Sequence, residues 1–239
     1  MHITSIQLQR DQFPTTKHYP FSLPLIQQMD KIVFSKPITF FIGENGSGKS
    51  TLLQAITQRC GVHIWQDTER PKYTVNPFEN ELRNTINVTW RNGKVHGSFF
   101  SSQHFRFFSQ ILDEWAIDDD RNLQRFGGTS LMAQSHGQSL MAYFQSRYKI
   151  KGLYFLDEPE TALSPRSQIQ LLNLLIEMSK QGHAQFIVAT HSPILLACPD
   201  ADIYSFDHIP VQKIKYEDTE YYKLYHAFLT DRNQFLETI

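Results

Sequence analysis

Gly43-Glu44-Asn45-Gly46-Ser47-Gly48-Lys49-Ser50 sets a lysine and a hydroxyl directly behind three spaced glycines. Gly-x4-Gly-Lys-Ser is the spacing of a loop that wraps a phosphate chain. Gly43, Gly46 and Gly48 let the backbone bend tightly, with Asn45 and Ser47 between them, and aim N–H groups inward at an anion. A helix opening at Lys49 adds its N-terminal N–H groups and dipole. Lys49 brings a point charge to the terminal phosphates, the Ser50 hydroxyl is placed for Mg2+, and Thr51 follows in the same turn. The pattern predicts a site for a nucleoside triphosphate. The bland alternative is a glycine-rich turn without chemistry.

Two more groups have the right types and company. Leu153-Tyr154-Phe155-Leu156 delivers Asp157-Glu158 at the carboxyl end of an apolar strand, where ligands of open α/β sheets bind. Asp157 can reach Mg2+ directly or through water, and Glu158 can take a proton from an attacking water. Without the glycine loop, the pair would read as two solvated acids before Pro159. Ala189-Thr190-His191-Ser192 ends the next apolar strand. His191 emerges at the same edge, where it can donate a hydrogen bond to a γ-phosphate, its ordinary pKa being near neutrality. The alternative is a common strand-end histidine before a helix at Pro193.

The elements that must hold these residues follow from apolar spacing. Ile38–Ile42 is apolar throughout, as in a strand covered on both faces. Residues 51–59 carry Leu52, Leu53 and Ile56 at helical spacing, and Pro165 opens a long amphipathic helix. Residues 2–9 alternate as a half-buried strand, residues 11–30 read as irregular, and residues 31–34 and 62–65 as short strands. Arg91-Asn92-Gly93 between β-rich runs at 86–90 and 94–100 predicts a hairpin. Helices are expected over 104–115, 138–148, 221–230 and 234–239, a loop over 118–125 with a break at Gly127-Gly128, and strands over 202–206 and 213–216. Strand–helix alternation from Ile38 onward predicts an α/β fold with a mainly parallel core sheet. The chain is expected to form a single domain over 1–239, with 61–128 inserted as a mixed antiparallel β and helical lobe.

The 239 residues are 41 % hydrophobic and 20 % charged, ordinary for a globular chain, and the net charge of −1 shows no global pull toward nucleic acid. Cys60 and Cys198 stand far apart without metal-ligand spacing, which predicts reduced thiols rather than a disulfide framework or zinc site. No apolar run is long enough to span a bilayer and the N-terminus lacks a signal-peptide pattern, so a cytoplasmic location is expected. His2, His18, His63, His96, His104, His183, His208 and His226 have no ligand spacing and read as structural or surface residues.

Taken together, these motifs resemble a known class. The glycine loop, Asp157-Glu158-Pro159 and Thr190-His191-Ser192 have the order and spacing of ABC-class P-loop ATPase heads. Gln134-Ser135-His136-Gly137-Gln138 looks like the ABC signature, Leu-Ser-Gly-Gly-Gln, with His136 in place of its first glycine. The resemblance implies that Ser135 and Gly137, with Gln138 retained behind them, contact the γ-phosphate of ATP held by a second subunit. It also implies a glutamine that senses Mg2+ and water. Gln103 is the best placed, Gln110 less so. Arg10 is similar to the early arginine that reaches the phosphates in SMC-like heads, or is a solvated surface residue. Tyr19 and Phe21 are candidates for an adenine platform.

Asp157-Glu158-Pro159-Glu160-Thr161-Ala162-Leu163-Ser164-Pro165 departs from the Asp-Glu-Pro-Thr-x-x-Leu-Asp of transporter subunits. It resembles RecF, OLD-nuclease and SMC-related ATPases, especially small stand-alone bacterial ones that share Ser135–Ser139, Ala189–Leu195 and Tyr216–Thr219. About 85 residues between Lys49 and Ser135 leave no room for a long coiled coil. Unlike in the OLD proteins, no nuclease domain is expected behind the ATPase motifs. The resemblance implies Mg2+-dependent ATP hydrolysis by a head-to-tail homodimer, coupled through DNA or an effector protein to DNA repair or defence. The alternative is the nucleotide-binding subunit of a membrane transporter, with a permease partner. A regulator that binds without hydrolysing is disfavoured by the intact Lys49, Asp157 and Glu158. The acidic stretch Tyr216–Glu220 either docks a partner or forms a solvated loop that caps the following helix.

Overall fold

The computed structural model describes residues 1–64, 76–102, 105, 109–111 and 136–236. Strands β1 (Ile3–Leu8), β2 (Lys31–Val33) and β4 (Ile86–Trp90) form an antiparallel sheet in the order β2-β1-β4. Strands β3 (Ile38–Ile42), β5 (Gly97–Ser101), β6 (Gly152–Asp157), β7 (Ala184–Ala189), β8 (Asp202–Ser205) and β9 (Gln212–Ile214) form the second sheet, in the order β5-β6-β7-β3-β8-β9. It is parallel except for β9, which runs antiparallel to β8. The helices are α1 (Pro24–Gln28), α2 (Lys49–Arg59), α3 (His136–Arg147), α4 (Pro165–Lys180), α5 (Pro193–Leu196), α6 (Glu220–Thr230) and α7 (Asn233–Leu236).

Apolar runs such as Ile38–Ile42 are buried along their whole length because both faces of the parallel sheet are covered. Successive side chains leave a strand on opposite faces. Phe41, Phe155 and Ile187 enter a core shared with α1, α2 and the antiparallel sheet. Ile38, Phe40, Ile42, Leu156 and Val188 enter a second core beneath α3, α4 and α5. The α2 helix therefore packs between the two sheets, and the loop at its N-terminus opens onto the carboxyl ends of the parallel strands.

Asn92-Gly93 does not make a hairpin. β4 pairs with β1, and β5 pairs in parallel with β6. Burial separates the two strands. β4 alternates in exposure, which suits a sheet with one covered face, whereas Phe99 and Phe100 are both buried on opposite faces of β5. Gly97 permits the close pairing, since a Cβ there would lie 2.1 Å from Leu153 O. Within the described part of 61–128, β4 joins the antiparallel sheet and β5 the parallel one.

Residues 62–64 form no strand, and Trp65 lies outside the described residues. Of the expected helix over 104–115, the described residues 105 and 109–111 are helical. The loop over 118–125 and the Gly127-Gly128 break lie outside the described residues. The stretch read as irregular holds a turn at Arg10–Gln12 and the short helix α1.

Candidate nucleotide site

Parallel pairing brings the chemical groups to one edge. Asp157 is opposite Ala189, and Ala189 is opposite Phe41, so the ends of β6, β7 and β3 stand level. The glycine loop leaves β3 there, Asp157 and Glu158 leave β6, and His191 follows β7.

The loop has the backbone its glycines allow. Gly48 caps α2 at φ 96°, where a Cβ would also come within 2.8 Å of Leu25 Cδ2 on α1. The left-handed backbone, with α1 packed close beside it, favours glycine at this position. Asp207, just past β8, accepts from Glu44 N at 2.7 Å and braces the loop from its other side. A cleft of about 180 Å³ is lined by Tyr19, Leu23, Asn45, Gly46, Gly48, Lys49, Ser50, Thr51 and Glu158.

Lys49 is 4 % exposed, and its Nζ donates to Gly43 O at 2.6 Å and Glu44 O at 2.9 Å. Burial lowers its pKa, opposed by the carboxylates of Glu158, Asp207, Asp157 and Glu44. Ser50 Oγ donates to Asp157 Oδ1 at 2.8 Å. Burial pushes the Asp157 carboxyl up to about 6, against the Ser50 hydrogen bond.

Glu158 has the left-handed backbone φ 47°, ψ 54°, sparsely populated for a residue with a Cβ. The kink swings its carboxylate away from the line of β6 and toward His191, with Oε1 3.5 Å from His191 Nε2. Glu158 N is held by Ala189 O at 2.9 Å and its carbonyl accepts from Ser102 Oγ at 2.9 Å.

His191 is fixed on two sides. Its backbone N–H donates to Glu160 Oε1 at 2.6 Å, and its Nδ1 stands 2.6 Å from Tyr221 Oη. Nε2 is buried without a hydrogen-bond partner among the described residues. Burial lowers the His191 pKa, with Lys49 adding to the effect, while burial raises that of Glu160.

The arrangement suits a triphosphate and a hard cation. Buried Lys49, the glycine bend and the unpartnered Nε2 of His191 supply donors for phosphate oxygens. The Ser50 hydroxyl and the buried Asp157 carboxylate are adjacent oxygen donors of the kind Mg2+ takes.

The structure brings Lys49, Ser50, Thr51, Asp157, Glu158 and His191 together. Arg10 does not line the cleft; its guanidinium donates to Gln28 O at 2.9 Å, tying the Arg10–Gln12 turn to the end of α1. Phe21 is fully buried in the core and cannot stack on a base, whereas Tyr19 lines the cleft and its Oη is 3.0 Å from Thr51 Oγ1. Gln103, Gln134 and Ser135 lie outside the described residues. Gly137 opens α3 and lies beside the segment after Glu158: a Cβ there would be 3.8 Å from Ala162 O. Gly137 and Gln138 are not among the residues lining the cleft.

Sequence reasoning missed Asp207 and Tyr221. Asp207 carried a usable signal, an acid just beyond a parallel strand's carboxyl end. Tyr221 carried none, since only the packing of α6 brings it to His191.

Comparison with known proteins follows the same lines. A family model described as an AAA domain matches residues 25–149, more than half of the chain. A second model, for AAA domains assigned to AbiEii-type toxins of type IV toxin–antitoxin systems, matches residues 138–197. Among curated relatives, a siderophore transport system ATP-binding protein of Bacillus subtilis is 23 % identical over 73 % of this chain and 68 % of its own length. The energy-coupling factor transporter ATP-binding protein EcfA2 of Mesoplasma florum is 22 % identical over 78 % of this chain and 65 % of its own. The match thus spans about two thirds of these relatives.

Among solved structures, a nucleotide-free ATP-binding cassette from an ABC transporter superposes with a TM-score of 0.53 at 15 % identity, covering 95 % of this chain and 96 % of that one. A metal-chelate type ABC transporter in an inward-facing conformation gives a TM-score of 0.53 at 17 % identity, covering 94 % and 89 %. The chain therefore belongs to the AAA-domain family, and it is an ATPase built on the ABC type of P-loop fold.

Proposed function

We propose that the protein is a Mg2+-dependent ATP switch that closes head to tail with a second copy and opens on hydrolysis. The observation behind this reading is the division of the motifs. Lys49, Ser50 and Glu158 line one cleft, with Asp157 bonded to Ser50 and His191 Nε2 3.5 Å from Glu158, while Gly137 and Gln138 do not line it and Gly137 lies beside Ala162. The signature segment then has its ligand on another subunit. Residues 1–239 act as one ATPase domain in this scheme.

The glycine loop and Lys49 hold the β- and γ-phosphates. Ser50 and Asp157 hold Mg2+, with Gln103 completing its surroundings; when bound, the ion neutralises charge that develops on the phosphate oxygens. Glu158 accepts a proton from the attacking water as the new P–O bond forms and the bond to ADP breaks. His191 directs a donor at the γ-phosphate. Ser135 and Gly137 of the second copy close the site. Because these contacts need the γ-phosphate, hydrolysis removes what favours the closed dimer.

The work coupled to this cycle is DNA repair or defence, through DNA or an effector protein in the cytoplasm. Support comes from Glu160, which replaces the threonine usual in transporter subunits and holds the His191 backbone, and from the toxin–antitoxin description of the model matching 138–197. The two free, buried cysteines suit a reducing compartment. ATPase rates with and without duplex DNA ends, with affinity capture from the native host, test the coupling. Stimulation by DNA or recovery of a nuclease or toxin supports it; no response to DNA together with no such partner overturns it. A second reading, the energising subunit of a transporter, is favoured by the names of the curated relatives and predicts capture of a permease.

A further inference from the structure

A second cleft, of about 150 Å³, opens beside the nucleotide cleft and shares two walls with it, Tyr19 and Thr51. Lys49 and Ser50 line the first cleft and not the second. Beyond Thr51, the second cleft runs along α2 past Gln54, Ala55 and Gln58. These positions follow Thr51 at i+3, i+4 and i+7, so one face of the helix makes the wall. Asn80, Leu82 and Arg83 supply another wall, around the turn at Glu81–Thr85.

The walls are anchored to the fold. Leu82 is buried in the same core as Leu52 and Ile56 of α2. Asn76 Nδ2 donates to Tyr19 O at 2.8 Å, and the His18 ring stacks on Phe78 with centroids 5.5 Å apart. Both contacts tie the segment carrying Tyr19 to the one carrying Asn80. The lining itself is polar. Among the described residues, the side-chain amides of Gln54, Gln58 and Asn80 have no hydrogen-bond partner. Each amide offers an acceptor oxygen and two N–H donors. A triphosphate with its terminal phosphates at Lys49 must carry its sugar and base away from that end, and the second cleft leads off at Thr51.

We propose that the second cleft is the base subsite, where the side-chain amides of Gln54, Gln58 and Asn80 read the edge of adenine, an amide oxygen accepting from its exocyclic amino group. This rests on the reading of the first cleft as the triphosphate site. Glutamine and asparagine amides match adenine because its edge sets an amino donor beside a ring-nitrogen acceptor. A site that bonds the amino group rejects a base that lacks it, since the amide is then left unpaired.

Calorimetric titration with Mg2+ and three ligands tests this: ATP, purine riboside triphosphate, which lacks only the amino group, and inorganic tripolyphosphate, which lacks sugar and base. The wild type is expected to bind ATP at least about tenfold more tightly than either of the others. In the triple variant Gln54→Ala, Gln58→Ala, Asn80→Ala, the gap between ATP and purine riboside triphosphate is expected to close, with tripolyphosphate affinity within about twofold of wild type. Alanine suits the interior of α2, so the helix is retained. No gap in the wild type, a gap that persists in the triple variant, or an equal loss of all three ligands overturns the base subsite. Lys49→Ala is measured in parallel, and undiminished tripolyphosphate binding there overturns the underlying reading of the first cleft instead.

Discussion

Ser50 Oγ donates to Asp157 Oδ1 at 2.8 Å, tying the first turn of α2 to the end of β6. The bond satisfies a carboxylate that the fold otherwise treats badly. Asp157 is 7 % exposed, and burial lifts its pKa from 3.8 to about 6. A carboxyl raised on folding favours the folded state when protonated. Keeping it charged costs stability: the cost is absent below the unfolded pKa, grows as pH rises toward the folded one and is complete above it. Two units correspond to about 3 kcal/mol.

Asp157→Asn should therefore stabilise the nucleotide-free protein in EDTA by up to about 3 kcal/mol at pH 7.5, with no gain near pH 4. Urea denaturation at the two pH values measures this. The same variant should lose ATPase activity, which places Asp157 among residues retained for function against stability.

Gly48→Ala should destabilise the protein by about 1–3 kcal/mol, since φ 96° strains any side chain and the new methyl meets Leu25 Cδ2 at 2.8 Å. ATP affinity should fall with it, because the N–H groups of the loop lose their aim. Calorimetric titration with ATP and thermal melting together measure both effects.

Asp202 tests the scaffold away from the cleft. It is fully buried at the start of β8 and accepts from Ser35 N at 2.8 Å, Ser35 Oγ at 2.7 Å and Lys36 N at 3.2 Å, with an ion pair to Lys213. Burial pushes its carboxyl up, but Lys213 and Ser35 outweigh burial and hold it below the ordinary carboxylate range. A carboxyl lowered on folding stabilises above its unfolded pKa and loses that contribution as pH falls. Asp202→Ala should cost about 2–4 kcal/mol at pH 7. The gap from wild type should narrow in acid, while kcat per folded molecule stays near wild type. Denaturation curves at several pH values, with activity assays, check this.

The strands were legible where burial is simple. Ile38–Ile42 and the apolar core of β6 are covered on both faces and read directly as such. Lys49, Ser50, Asp157, Glu158 and His191 were legible because each stands at the carboxyl end of a parallel strand or in the glycine loop that follows one. Asn92-Gly93 misled because a turn signal is local, whereas the partners of β4 and β5 are chosen by which faces must be covered. Arg10 bonds Gln28 O, a partner fixed by a helix, α1, too short to show a period. Tyr221 was read only as the start of a helix behind a capping Thr219, since its contact with His191 spans 30 residues of sequence.

Glu158→Gln removes the proton acceptor while keeping the size and left-handed turn of the side chain. It should bind ATP and Mg2+ without hydrolysing, and so hold two copies closed. Size-exclusion chromatography with light scattering, with ATP and Mg2+ present, should give twice the mass of the 27.9 kDa chain. Lys49→Ala, treated identically, should remain a monomer. A Glu158→Gln protein that binds ATP and still elutes at the mass of one chain would contradict the shared site.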